Sequence, residues 1–567
     1  MNLCARMTRL GSVGLLSLSL MACVSGAPEA QNQPDKEAIG FELAENASQS
    51  ARNLAADIAF LSSDAMLGRD TGTAQYDEAA DFVAARYQSL GLKPMGDDGS
   101  YFQRVPLANI KRNLKSAKLA IRDSLGNEVS LTHLQDYVIG MPPNGVSMNV
   151  SAPVIFAGYG IDAPRFGIND YEGLDVKGKI VVALAGAPLD MPSEERAHYS
   201  SRTSRAKMAS DRGAMGLVTI YTAASEKRFP WDRMVSFADR SRMQWLQADG
   251  TTLNKAPNVK ASATLSSAGA KMLFADAPMD WAAIEAEMEA GNRPKGFDIP
   301  LTMTISGSAD YEEIESKNVV AVLEGSDPVL KGEYVVMSAH LDHIGISHRA
   351  KEGEDNINNG ALDNATGIAV MLEEARLFSQ GGERPRRSIL FVAVTAEEKG
   401  LIGSDYFATN PTVPKGSMVA NINLDMPIIK YDFTDVIAFG EQHSTMGEYI
   451  AKAAAEMGIK VTPDPVPEMS LFVRSDHYSF VKQGVPSVFL FLGFGDGGEE
   501  NFRDFMKTCY HRPCDEIGND LDFEAGAKFA KLNFLIARQV ANSDERPQWL
   551  PGNFFGDVFG QKNSAGQ

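Results

Sequence analysis

Five apolar runs in the second half of the chain constrain its fold more than any other feature: NVVAVLEG, EYVVMSAH, SILFVAVTA, MVANINLDM and PSVFLFLGF, all after Ser308. Their apolar stretches are continuous rather than alternating, so each predicts a strand buried on both faces. Helical patterns such as ATGIAVMLEEARLFSQ and TMGEYIAKAAAEMG lie between them. Strands of this kind alternating with helices predict an α/β fold, a mostly parallel mixed sheet covered by helices. In open sheets of this class, ligands gather beyond the carboxyl ends of the strands.

Chemistry-bearing residues fall at those ends. They lie in five segments: SAHLDHIG (338–345), GALDNATG (360–367), VTAEEKG (394–400), NINLDM (421–426) and CYHRPCD (509–515). EYVVMSAH delivers His340 at its end. Asp342 is two residues on and points the same way in extended chain, where it can accept the second N–H of His340 and fix its tautomer. SILFVAVTA delivers Glu397 and Glu398, which point to opposite sides, so one can bind metal while the other faces substrate. MVANINLDM delivers Asp425. Asp363 lies in a glycine-rich turn before a helix, where one carboxylate can reach two cations. Each piece alone has an ordinary explanation. An HxD pair is commonly structural, an EE pair is commonly surface charge, and DNATG is a helix start with Asn364 or Thr366 as cap. Together His340, His511, Asp363, Glu398 and Asp425 supply two imidazoles and three carboxylates. That set suits two zinc ions sharing one water, and so hydrolysis of a peptide bond.

The rest of the chain bounds this expectation. At 567 residues it exceeds one ordinary domain. A formal net charge of −19 disfavours nucleic acid and favours solubility. At the N-terminus, Arg6 and Arg9 precede the apolar Leu10–Leu20, a pattern of export too short to span a bilayer comfortably. Leu20-Met21-Ala22-Cys23 follows and resembles a bacterial lipobox, so Cys23 is the expected lipid anchor. Membrane contact is expected only there, and localisation in the bacterial periplasm or outer membrane. Of four cysteines, Cys4 lies in the signal segment and Cys23 in the lipobox, which leaves Cys509 and Cys514. In an exported protein the pair predicts a disulfide that fixes the loop carrying His511. The parse is a signal peptide over 1–22, a polar tether over 23–45, and a split α/β domain over 46–132 and 306–545. A β-rich insert occupies 133–305, and a loose tail follows over 546–567.

With the five segments in hand, residues 46–130 plus 306–545 resemble Peptidase family M28, the co-catalytic di-zinc exopeptidases of clan MH. The resemblance implies one zinc on His340 and Asp425, the other on Glu398 and His511, and Asp363 bridging both. It implies Glu397 as general acid/base, Asp342 as the carboxylate behind His340, and Tyr510 as a group that steadies the oxyanion. RSDHYSF (474–480) also looks like the family, with Asp476 and His477 as pocket scaffolding rather than ligands. Asn364 departs from the pattern, since many members have two acidic residues at 363 and 364. The family also implies a cis peptide bond between Asp363 and Asn364. The insert resembles a protease-associated domain in VIFAGYGI, DYEGLDVKGKIVVALAGAP and KMASDRGAMGLVTI. Such domains carry no chemistry of their own and are thought to shape access or bind partners.

The function this implies is aminopeptidase action on peptides, with two zinc ions as cofactors. Two divalent cations outweigh three ligand carboxylates, so a bridging water loses a proton near neutral pH and Glu397 carries it to the departing amine. A carboxypeptidase of the same family would hold a terminal carboxylate, with Arg474 and Arg512 as candidate cations. A glutaminyl cyclase-like transferase works with one zinc, and a non-enzymatic binding protein on this scaffold has degraded ligands. The full ligand set and Glu397 weigh against both. Oligomeric state is left open.

Overall fold

The computed structural model describes residues 43–347, 350–518 and 520–560. The expected signal peptide, the Cys23 anchor, nearly all of the tether and the final seven residues lie outside them.

The apolar runs form the expected strands. Tyr334–His340 lies at the centre, parallel to Ser388–Val394 on one side and to Met418–Asn423 on the other. Ser487–Leu492 extends the parallel set beyond Met418–Asn423. Asp435–Phe439 pairs antiparallel to Ser487–Leu492, and Lys460–Thr462 closes that edge. Successive side chains enter opposite cores, as period two requires. Val335, Met337, Ile389, Phe391 and Ala393 pack into one, with helices Gln49–Leu61, Thr366–Gln380 and Phe523–Asn542. Val336, Leu390, Val392 and Val394 pack into the other, against Phe407 and Phe480 of two shorter helices. Both faces are therefore dry, and the strand ends are the natural place for polar chemistry. The first helices start where hydroxyl caps stand: Ser48 accepts from the Ala51 N–H and Thr73 from the Tyr76 N–H.

The sheet does not stop at the insert. Phe102–Asp123 and Phe297–Leu323 form a long antiparallel ribbon, paired from Phe102↔Val319 to Asp123↔Leu301, with a bulge between Ser306 and Ser308. Ser147–Phe156 pairs with the second of these strands. Ile180–Leu184, Gly216–Ile220 and Ala261–Leu265 continue the sheet in parallel. The division expected at 305/306 thus falls inside one strand, because the ribbon carries the chain through without a linker. The insert has its own apolar core, including Phe156, Val182, Val218, Phe274 and Trp281.

The expectation of a loose tail is corrected for residues 546–560. Trp549 donates its indole N–H to the Gly484 carbonyl at 2.9 Å. Asn553 caps the helix Phe554–Phe559, whose Phe554, Phe555 and Phe559 are buried. The sequence WLPGNFFGDVF is aromatic enough to dock, and the polar QKNSAGQ that follows hides that signal. No described helix is long and apolar enough to cross a membrane.

Candidate metal centre

His340 ends the central strand and is 1% exposed. Its Nε2 lies 3.2 Å from Oδ1 of Asp425 and 3.3 Å from Oδ1 of Asp363. The other oxygen of Asp363 faces away, with Oδ2 3.2 Å from Nε2 of His511. Oε2 of Glu398 lies 3.1 Å from that same His511 nitrogen. All five expected ligands converge on one pocket, with Asp363 in the middle. Donor atoms of His340, Asp363 and Asp425 fall within 4.8 Å of one another, and so do those of His343, Asp363 and Glu398. The set is imidazole nitrogen and carboxylate oxygen, mostly buried, and this chemistry fits zinc.

Backbone geometry in the turns that follow two strands and the helix Gly498–Thr508 places these groups. Ala396, Met426 and His511 have φ of +55°, +45° and +58°, all left-handed and all without glycine. Such conformations are uncommon for ordinary residues and cluster at functional sites. The Glu397-Glu398 pair therefore sits in a turn, not on continuing strand. The Asp363-Asn364 bond is cis, as the resemblance implies.

The role expected for Asp342 is corrected. His340 Nδ1 lies 3.0 Å from the main-chain carbonyl of Asp342, not its carboxylate. The carboxylate instead accepts the backbone N–H groups of Glu397 at 3.0 Å and Glu398 at 3.3 Å, and the Thr71 hydroxyl at 3.2 Å. The turn at Ala396 brings those N–H groups within reach, so Asp342 fixes the glutamate pair.

Three supporting residues had no assigned place in the sequence reading. Asp515 is buried and accepts the N–H groups of Leu362 at 2.8 Å and Asp363 at 3.0 Å. Arg69 is buried and donates to the carbonyls of Leu61, Leu341, Asn359 and Gly360. His343 is buried beside Glu398. The second histidine of HLDHIG and the aspartate closing CYHRPCD were visible signals for two of them. Asn364, the departure from the family, is a brace. Its amide donates to the Leu424 carbonyl at 2.9 Å, and its oxygen accepts from Gly367 and Met426 N–H.

Around the loop, Cys509 and Cys514 form the expected disulfide. Tyr510 stacks on His511 with ring centroids 3.9 Å apart. Ser475 donates its hydroxyl to Oδ2 of Asp425 at 2.6 Å. Asp476 and His477 are fully buried and outside both ligand groups, as expected of scaffolding.

The electrostatics separate the two glutamates. Burial, reinforced by Asp425, Glu398 and Asp476, holds the Glu397 carboxyl well above its ordinary range despite nearby His340. Burial also acts on Glu398, but contacts with His343 and His511 overcome it and pull the group down to about 2. Burial opposes charge on His511, yet Asp363 and Glu398 push it up to about 10. The two neighbours are thus driven apart, Glu397 toward its protonated form and Glu398 toward its anion.

Residues 318–536 match the model of Peptidase family M28. Leupeptin-inactivating enzyme 1 of Streptomyces exfoliatus is 30% identical over 246 residues, 40% of this chain and 47% of that protein. Aminopeptidase Y of Saccharomyces cerevisiae is 26% identical over 262 residues, 45% of this chain and 44% of that one. The chain spans about half the length of these curated relatives. Among solved structures, the aminopeptidase from Aneurinibacillus sp. strain AM-1 is similar at 19% identity and a TM-score of 0.48, covering 88% of this chain and 95% of that one. Every candidate ligand lies within the matched segment, residues 318–536, and it is through that segment that the chain is similar to Peptidase family M28.

Proposed function

We propose that this chain is a zinc-dependent exopeptidase, an aminopeptidase releasing N-terminal residues from peptides, in which His340, Asp425, His511, Glu398 and the shared Asp363 would hold two zinc ions. The observation that carries the reading is the Asp363 carboxylate, whose Oδ1 faces His340 at 3.3 Å while Oδ2 faces His511 at 3.2 Å. One carboxylate thus serves two donor sets, His340 with Asp425 and His511 with Glu398. The names of the relatives, a leupeptin-inactivating enzyme and an aminopeptidase, support peptide substrates.

Zinc, when bound, supplies the Lewis acidity that polarises a scissile carbonyl and makes a water acidic. The chain's residues do the rest. Glu397, held above its ordinary range, takes the water's proton at its carboxylate and hands it to the departing amine. Asp342 keeps Glu397 and Glu398 in place through their N–H groups. Burial and the neighbouring carboxylates hold the Tyr510 phenol in its protonated form, so it is a donor for the oxyanion. The substrate's free amine meets the acidic side of the pocket. Export with a lipid anchor at Cys23, and a protease-associated role for 133–305 in shaping access, complete the proposal. The Cys509–Cys514 disulfide supports an oxidising compartment.

A panel of free, N-acetylated and C-amidated peptides, with and without chelator, tests this. Free N-termini should be cleaved whether or not the C-terminus is amidated, N-acetylated peptides should resist, and chelation should abolish turnover until zinc returns. Cleavage of acetylated peptides with refusal of amidated ones would overturn the aminopeptidase reading in favour of a carboxypeptidase.

A further inference from the structure

His343 stands three residues beyond His340 and is 0% exposed. Its Nδ1 lies 2.8 Å from Oε1 of Glu398 and 4.0 Å from Oδ2 of Asp363. Neither ring nitrogen makes a well-aligned hydrogen bond, and neither does Oε1 of Glu398. His511 takes the other oxygen, Oε2, at 3.1 Å. The two oxygens of Glu398 therefore face two different imidazoles.

The fold makes room for this ring. The His343 N–H donates to the Arg69 carbonyl at 3.3 Å, which fixes the backbone. The ring packs on Gly360, where a Cβ would come within 2.7 Å of its carbons, and Gly360 has φ of +63°. A buried imidazole without a partner is costly. The partner in reach is a carboxylate already in the metal centre.

We propose that His343 is a positioning residue of the second metal site. Nδ1 pairs with Oε1 of Glu398, so that Oε2 is the oxygen left to the ion together with His511 and Asp363. The inference rests on the two-metal reading above and adds a residue outside its five ligands. The proposal gives His343 the positioning role rather than a ligand's because its Nδ1 lies 2.8 Å from Oε1 of Glu398, whereas it is 4.0 Å from Asp363 Oδ2, an oxygen His511 meets at 3.2 Å. Partners that hold a ligating group typically matter by ~10–100-fold in metal affinity.

The test strips the full chain of metal and titrates it with Co²⁺, following visible absorption and metal content. The wild type is compared with His343→Ala and His343→Asn, since an asparagine amide reaches the place of Nδ1. The wild type should take two ions. In His343→Ala the first ion should bind nearly as in the wild type. The second should weaken by ~10–100-fold with its absorption per bound ion unchanged. His343→Asn should recover most of the loss. Equal weakening of both ions with no rescue by Asn means a merely structural histidine and overturns the inference. Unchanged second-ion affinity in His343→Ala overturns it as well. A changed cobalt spectrum would mean that His343 is a ligand, again against it. A wild-type chain that takes one ion sinks the two-metal reading and this inference together, before any variant is compared.

Discussion

Neighbouring carboxyl groups can carry opposite tasks when their surroundings differ, and Glu397 and Glu398 show how. Glu398 has imidazoles against both its oxygens, whereas Glu397 has burial and three other carboxylates working against its charge. Glu397→Gln keeps the shape and removes the proton site. It should retain metal and lose ~10²–10⁴-fold in turnover, measured by kcat beside metal content. Glu398→Gln should instead lower metal occupancy, and near-normal turnover in Glu397→Gln would reject the assignment. A third buried carboxyl stands on another element. Glu374, on the helix Thr366–Gln380, is fully buried with neither oxygen partnered. Burial, then the charge of Glu373, holds it well above its ordinary value of 4.5. Folding shifts it toward its neutral form relative to the unfolded chain. The unfolded chain therefore releases a proton as pH rises past its own value, and folding stability falls until the folded group also ionises. Glu374→Met removes this penalty and should raise stability at pH 7 by ~1–3 kcal/mol. Urea denaturation at pH 5 and pH 7 checks it: the variant's advantage should grow with pH, and a constant or shrinking difference would reject the account.

At the scale of the element, the site is made by strand ends and the turns that follow them at His340, Glu398 and Asp425, and by turns beside helices at Asp363 and His511. Two loops distant in sequence are joined at Asp515, whose carboxylate grips the N–H groups of Leu362 and Asp363 while its carbonyl accepts that of Ala361. Asp515→Asn would turn an amide N–H₂ toward one of those N–H groups, leaving a buried donor unpaired at a cost of ~1–3 kcal/mol. Because Asp363 faces both donor sets, both ions should weaken together, by roughly 5–100-fold. This differs from His343→Ala, which should spare the first ion. Metal titration distinguishes the two, and selective loss of one ion in Asp515→Asn would count against the clamp. The sequence made the strand ends legible because continuous apolar runs have few other uses: His340 closes one strand, Asp425 stands two residues past Asn423 and Glu398 four past Val394. It did not reveal the partner of the Asp342 carboxylate. An argument from strand period assumes that the chain stays extended, and Ala396 at φ +55° turns it. The partners of Asp515 and Asn364 stayed hidden for a related reason: both residues hold backbone groups, and backbone partners leave no residue-type signature.

Across the whole molecule, the sheet and its two cores follow from the pattern of apolar runs, but the way the insert is tied down does not. Its helix Ser193–Ser200 meets the rest of the chain through side chains widely separated in sequence. His443 Nε2 lies 2.7 Å from Oε2 of Glu194, and His198 Nδ1 lies 2.6 Å from the Tyr478 hydroxyl. Burial pushes His198 down to about 4, so this contact is made by a neutral ring at neutral pH. The C-terminal segment completes the joint. Asn553 lies 2.8 Å from His443 Nδ1, and Arg165 of the insert pairs with Asp557 at 2.8 Å. Phe554 packs against Phe166, His198 and Tyr199, while Phe555 packs against Phe472 and His443. One short helix thus touches both bodies that the ribbon connects. Removing residues 546–567 should leave the central strands intact, since their apolar packing is supplied by other helices. It should expose the insert helix, because burying each phenylalanine contributes ~1.5–3 kcal/mol. Amide exchange over 193–200 should accelerate by at least ~10-fold, while exchange over 334–340 and 388–394 stays as in the full chain. Unchanged exchange over 193–200 in the truncated chain would show that the C-terminal helix does not hold the insert.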